Sequence, residues 1–384
     1  MTAALLFFAV NFGKAESVDS LALSRLSVEL AGERGRYVIV RTGCRQDVRL
    51  KVSASWLLAE TLQRDDEVII KLSSKNDNAS GKERTGTVTV THGSQKQRIS
   101  VIQCNKGDCM RDGDIVMLRQ HTRGNGVAVV ISGDGFDCGD LKKGGYYESE
   151  CRNLVDTYMF TNPIFADFEE LFDVYMLACE SHERGVLKGT DNTFGSGGPV
   201  DFDKAAQTIT AYGIPENRAW IFMGNGQIGG YALFEHRAGI YSTLEPNKPY
   251  WMAHEFVGHG FTLLADEYVS DCDYMGGPAG LVELQKNGWC MNVAPTSEPE
   301  KVPWKDFIGR RGYGQVGLYQ GGHYCAEGIW RPEDYSIMVG ARNDGKPPYY
   351  NAQSRWLIYK KIHELAGIEH SFESFIEYDK KFLE

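Results

Sequence analysis

The sequence predicts two domains, an N-terminal β-sandwich followed by an α/β domain. Three observations predict it. Short apolar/polar alternations with turn residues between them fill about Leu21 to Gln103. A polar, glycine-containing stretch, CNKGDCMRDGD, follows, and from VAVVISGDGF (127–136) onward strand-like and helix-like patterns alternate. A length of 384 residues suits two domains better than one.

In the first region RYVIVR (36–41), VRLKVS (48–53), EVIIKLSS (67–74), TGTVTVTH (85–92) and QRISVIQ (97–103) read as strands. β-Branched residues recur at period two, and HGS at 92–94 fits a hairpin turn. That spacing argues for a sandwich of roughly 80 residues. Trp56 is expected to plug its core. The boundaries expected are 1–18 as a signal remnant or disordered start, 19–105 as the sandwich, 106–125 as a linker and 126–384 as the second domain. In the second domain, ESECRNLVDTYMF, PIFADFEELFDVYMLACE and FDKAAQTITAYG carry helical periodicity. AWIFMGN (219–225) reads as a buried strand, and NAQSRWLIYKKIHELAG as a helix ending on Gly367.

Composition bounds the function. Apolar residues make up 42% and charged residues 24%, which is ordinary for globular domains. A net charge of −10 opposes binding to nucleic acid, and no nucleic-acid-binding motif is visible. No apolar run approaches the ~20 residues of a membrane span. The start MTAALLFFAVNFGKAES has the apolar core and small-residue end of a secretory signal, without its basic leader. It points to a secreted, periplasmic or cell-surface protein. Nine cysteines include no CxxC, so a cysteine zinc site is not expected. Cys272 could pair with Cys290, or Cys138 with Cys151.

One segment concentrates the chemistry: HEFVGHGFTLLADEY, residues 254–268. Imidazole is the commonest zinc ligand, and a glutamate beside the first histidine can serve as base to the metal-activated water. The usual helical spacing is HExxH, with the histidines four apart on one face. Here His254 and His259 are five apart, which on an α-helix turns the second ring about 140° past a full turn. A π-type turn would absorb the extra residue, and Gly258 lies where the backbone must deform. The spacing resembles that of dipeptidyl peptidase III, whose downstream glutamate-rich motif is absent here.

The segment also resembles the signature of the IgA peptidase family of metalloendopeptidases, in which a His–Glu pair, a second histidine and a DEY triplet share one stretch. ISGDGF, FDVYML, TFGSGG, GNGQIGGYA, GLYQGGHY, WRPEDYSIM and NAQSR agree with that family in order, so the resemblance covers about residues 125–370. It implies a zinc endopeptidase with Glu255 as general base and then acid. The N-terminal region, through SASWLLAE, KLSSKNDNASGKERTGTVTVTHG and ISVIQ, resembles the BACON domain, an immunoglobulin-like module of gut Bacteroidetes enzymes. That resemblance implies a spacer, or a module contacting carbohydrate or mucin, although no aromatic platform for sugar is visible.

With His254 and His259 as two zinc ligands, Asp266 is the expected third. A straight helix would place it about 10 Å from His259, so the chain must turn back, and Gly260 is the local breaker. Otherwise Asp266 orients an imidazole, or Glu267 takes its place. YSIMVG (335–340) resembles the Met-turn of metzincins, with Met338 as the floor beneath the metal. Tyr349, Tyr350 and His323 are candidates for contacts to the transition state or substrate. The reading is therefore an immunoglobulin-like sandwich plus a metzincin-like α/β zinc metallopeptidase domain acting on extracellular protein or glycoprotein. Two rivals are a carbohydrate- or surface-binding protein with a degenerate peptidase domain, and a zinc amidase acting on glycans or cell wall.

Overall fold

The computed structural model describes residues 19–185, 202–226, 228–340 and 349–383. The apolar start and the TFGSGG stretch singled out above lie outside them. The chain divides between Cys109 and Met110 into two compact units, and sheets and helices together make it a multidomain α/β protein.

The first unit holds seven strands: β1 (Ser27–Leu30), β2 (Tyr37–Arg41), β3 (Arg49–Val52), β4 (Leu57–Arg64), β5 (Glu67–Ser74), β6 (Arg84–His92) and β7 (Gln95–Gln103). One sheet has the order β1-β7-β6-β3 and the other β2-β5-β4. β1 runs parallel to β7, and every other pair is antiparallel. Buried positions of β6 and β7 alternate with half-buried or exposed ones, as expected for sheets with one wet face. Val28, Val40, Ile70, Leu72, Val88, Ile99 and Val101 are fully buried. The expected role of Trp56 does not hold. It is half-buried beneath the Arg84 guanidinium, and its neighbour Leu57 enters the core.

The second unit is built on a six-stranded sheet of β8 (Ile115–Arg119), β9 (Val127–Asp134), β10 (Phe172–Leu177), β11 (Ala219–Gly224), β12 (Tyr231–Leu233) and β13 (Ala238–Ser242). Its order is β12-β13-β11-β9-β10-β8, with the four inner strands parallel and both edge strands antiparallel. Two expectations are corrected here. Residues 106–125 are not a plain linker, because β8 within them closes one edge of the sheet against β10. FDVYML is not helical. Helix α2 (Pro163–Asp167) is short, starts on the Asn162 cap, and gives way to β10, all six of whose residues are buried. A parallel strand covered on both faces reads as a continuous apolar run, so its period cannot separate it from a helix.

Helices cover both faces. On one side, Val129, Ile131, Val174, Met176 and Ile221 pack against α1 (Tyr146–Asn153) with its π continuation Leu154–Met159, and against α2. The same core takes in α4 (Lys248–Trp251), the π-helix Met252–Phe261 that continues it, and the C-terminal pair α6 (Ala352–Ala366) and α7 (Phe372–Asp379). On the other side, Val130, Leu177, Phe222 and Ile240 pack against α3 (Phe202–Ala211). Gly367 caps α6 at a left-handed φ of 64°. Between the π-helix and α6 the chain is mostly irregular, with α5 (Gly277–Gln285) and the hairpin β14 (Tyr319–Gly322) to β15 (Cys325–Arg331). Cys272 pairs with Cys325, not with Cys290, which sits in the same apolar cluster. Cys151 is not paired with Cys138; burial pushes its thiol well up. No helix among the described residues is long and apolar enough to cross a membrane.

Candidate metal centre

The two histidines lie five positions apart, and the backbone meets that spacing with a π-helix over the ten residues Met252–Phe261. Hydrogen bonds to the fifth residue back replace the α pattern, as from Thr262 N–H to Val257 O at 3.2 Å. Two glycines let this wide helix lie directly on β13. A Cβ on Gly260 would stand 2.8 Å from the Gly239 nitrogen, and one on Gly239 would stand 2.9 Å from Phe256 Cα. Gly258 has a different neighbour: a Cβ there would stand 2.6 Å from Met338 Sδ. Met338 is thus a buried floor beneath the turn between the histidines.

The rings meet. Their Nε2 atoms are 3.2 Å apart and the ring planes nearly perpendicular at 84°. Each Nδ1–H donates to a backbone carbonyl, His254 to Ile337 at 2.9 Å and His259 to Leu264 at 2.7 Å. A carbonyl can only accept, so both imidazoles are fixed with Nε2 facing its neighbour. The Tyr250 ring stacks on His254, with its hydroxyl 3.3 Å from Nδ1.

Asp266 joins them, by a route the sequence did not show. The helix does not break at Gly260, which remains inside it. It ends at Phe261, and the chain reverses at Leu263, a non-glycine residue at φ 62°. Cys290 N–H holds the Leu263 carbonyl, and Asn292 pairs through its side-chain amide with both backbone groups of Ala265. Asp266 Oδ1 then lies 3.0 Å from His254 Nε2 and 3.2 Å from His259 Nε2. Its Oδ2 accepts from the Tyr324 hydroxyl at 2.5 Å.

These three donor atoms suit a divalent cation. Zinc bonds of ~2.0–2.1 Å at tetrahedral angles place ligand atoms ~3.3–3.4 Å apart, close to the separations here. Two imidazole lone pairs and a carboxylate oxygen converge, and only a cation satisfies all three. Burial works against charge on His259, but the Asp266 carboxylate overrides it and raises the pKa to about 9. Burial would raise the Asp266 carboxyl too, and the two histidines instead hold it far below the usual range. All three side chains are nearly inaccessible.

Glu255 lies between the histidines in sequence, part-exposed, with its carboxyl pKa raised by burial. Glu267 is not in the cluster. It is fully buried and accepts from Asn292, Asn351 and Ser336, while its N–H donates to Met338 O. It therefore ties the Met338 loop to the ligand segment. Two other candidates point elsewhere. Tyr350 donates to the Ala253 carbonyl and Tyr349 to Glu333, so neither hydroxyl is free for substrate. His323 does border the site: its N–H donates to the Asp266 carbonyl, and among the described residues neither ring nitrogen has a partner.

Sequence reasoning missed Tyr324, Asn292, Ser336 and Asn351. Three of them stand inside GLYQGGHY, WRPEDYSIM and NAQSR, segments picked out without a role for these residues.

No family model and no curated protein matches the chain. Among solved structures, it is similar to a Bacteroides ovatus GH5 xyloglucanase in complex with a XXXG heptasaccharide, at 16% identity over 53% of this chain and 45% of that one, with a TM-score of 0.21. It is also similar to an endo-fucoidan hydrolase from glycoside hydrolase family 107, at 12% identity over 29% of this chain and 17% of that one, with a TM-score of 0.17. The chain thus spans less than half of either structure, and likenesses at these scores carry no argument about fold or function.

Proposed function

We propose that the second unit is a metzincin-like, zinc-dependent endopeptidase acting on proteins outside the cell. One observation carries the reading. His254 and His259, each with Nδ1–H committed to a carbonyl, present Nε2 to a common point with Asp266 Oδ1. An N₂O donor set of three protein ligands is what catalytic zinc sites use. When bound, zinc supplies Lewis acidity toward a substrate carbonyl and toward water.

The chain's own residues supply the rest. Glu255, adjacent to His254, takes a proton on its carboxylate and passes it to the departing amine; its burial brings its pKa closer to working pH, which favours both transfers. Met338 and the Glu267 network hold the turn on which the ligands sit. His323, whose backbone N–H donates to the Asp266 carbonyl, keeps two uncommitted ring nitrogens buried behind the ligand segment. The choice of peptide as substrate rests on the likeness of HEFVGHGFTLLADEY to the IgA peptidase signature. The Cys272–Cys325 disulfide fits an oxidising compartment.

Metal analysis and hydrolysis assays test the proposal. About one zinc per chain is expected in the wild type, with loss of zinc in His259→Ala. Glu255→Gln should keep the metal and lose roughly 10²–10⁴-fold in peptide hydrolysis. A chain that takes up no zinc after refolding with the metal refutes the site. Cleavage of acetylated sugars but never of peptides refutes the peptidase reading alone.

A further inference from the structure

The residue that grips the carboxylate ligand sits at the tip of a hairpin, and that tip is built against its own conformational preference. Four consecutive residues, Gly321, Gly322, His323 and Tyr324, have φ of 102°, 151°, 45° and 69°. Two of them are not glycine, and each such residue costs about 1–3 kcal/mol unless its surroundings impose the conformation. The surroundings here are specific. His323 N–H donates to the Asp266 carbonyl, Tyr324 N–H to the Tyr268 carbonyl, and Ser270 N–H to the Tyr324 carbonyl. Tyr324 thereby bridges Val269 in parallel register. Arg331 holds the carbonyls of Gln320 and Gly321. The next residue, Cys325, is bonded to Cys272, so the disulfide staples the tip to the segment that runs on from Asp266.

The consequence for the ligand is geometric. Asp266 has one oxygen toward the histidines and the other on the Tyr324 hydroxyl. With Oδ2 held, the carboxylate cannot rotate, and Oδ1 alone is offered to a cation. Partners of this kind behind a metal ligand typically change affinity 10–100-fold when removed.

We propose that Tyr324 is a positioning residue that locks Asp266 for single-oxygen ligation, and that the Cys272–Cys325 disulfide sets metal affinity by holding Tyr324 there. The inference rests on the metal-site reading above. It makes the site sensitive to reductants. A tertiary phosphine breaks the S–S bond, leaves two thiols, and is itself oxidised to the phosphine oxide with oxygen from water. Cys272 is the half-exposed partner, and Cys325 is buried.

The test is competitive zinc titration of the full chain, with cobalt substitution as a spectroscopic reporter. Tyr324→Phe keeps the ring and loses the hydroxyl; its zinc Kd should rise about 10–100-fold, with a changed cobalt d–d spectrum as the carboxylate becomes free to chelate. Paired Cys272→Ser and Cys325→Ser should raise Kd comparably. Adding Tyr324→Phe to that pair should weaken binding little further, because both changes remove one interaction. If the serine pair fails to fold, phosphine reduction of the folded wild type gives the same comparison. Unchanged affinity and spectrum in Tyr324→Phe would overturn the positioning role. Multiplicative losses in the combined variant would overturn the link through the disulfide. A wild type that binds no zinc would instead remove the metal site itself.

Discussion

In the candidate metal centre Gly258 faces Met338 with no room for a methyl, and this packing can be measured by a double-mutant cycle. A methyl on Gly258 would meet Met338 Sδ at 2.6 Å and Cε at 3.0 Å, about 1 Å inside ordinary contact for such atoms. Met338 is fully buried and cannot swing into solvent. Gly258→Ala should therefore cost about 1–3 kcal/mol by overpacking, reduced by a few tenths through the better helix propensity of alanine. Met338→Ala alone should cost about 2–5 kcal/mol through lost burial and the cavity left behind. In the double variant the new methyl enters that cavity, so the total should fall short of the sum by about 1–3 kcal/mol. Urea denaturation of the metal-free protein gives the numbers. Tryptophan fluorescence reports on the second unit, which holds every tryptophan except Trp56. Costs that add to within about 0.5 kcal/mol would show that the two side chains do not meet, and the methionine floor would be lost as an idea.

Three further expectations concern the frame of the site. Gly260→Ala should be worse than Gly258→Ala, because its methyl would strike the backbone of Ala238 and Gly239, which cannot yield as a thioether can; equal urea midpoints for the two variants would contradict this. Asp379→Ala should cost about 3–5 kcal/mol in the same assay, since it strands the buried Arg355 guanidinium that now makes two charged hydrogen bonds to that carboxylate. A loss under about 1 kcal/mol would count against it. His363 should make stability pH-dependent. Burial lowers its pKa in the folded chain, so the stability it contributes is intact above the unfolded value near 6.5 and is lost as pH falls through the lower folded one. The stability difference between wild type and His363→Phe should move against the wild type between about pH 7 and 5, and a pH-independent difference would refute the assignment.

What the sequence disclosed and what it concealed follow from the range of the interactions. Strands β9 and β11, helix α6 and its Gly367 cap were legible because a period or a capping residue lies within a few positions. The five-residue spacing of His254 and His259 was legible for the same reason: one helical turn must carry both rings, and only a wider turn can. FDVYML was not, because burial on both faces erases the period that separates strand from helix. Leu263 gave no sign of the reversal that delivers Asp266, since its left-handed conformation is imposed by Cys290 and Asn292 from a loop some 27 residues downstream, and side chains that impose a turn from a distance leave no local mark. Tyr324 lies 58 positions from the carboxylate it holds.

The deepest concealment is of another kind. The groups that aim both imidazoles are the carbonyls of Ile337 and Leu264, and every residue type has a carbonyl. No motif can record them. What the sequence could record is the apparatus that puts those carbonyls in place: Met338 beside Ile337, Ser336 and Asn351 on the Glu267 carboxylate, and Glu267 N–H on Met338 O. On this account the D-E-Y triplet divides its labour. Asp266 faces the two imidazoles, while Glu267 carries the scaffold that turns His254 toward it. Glu267→Ala should therefore weaken zinc binding without removing a ligand, whereas Asp266→Ala removes one outright.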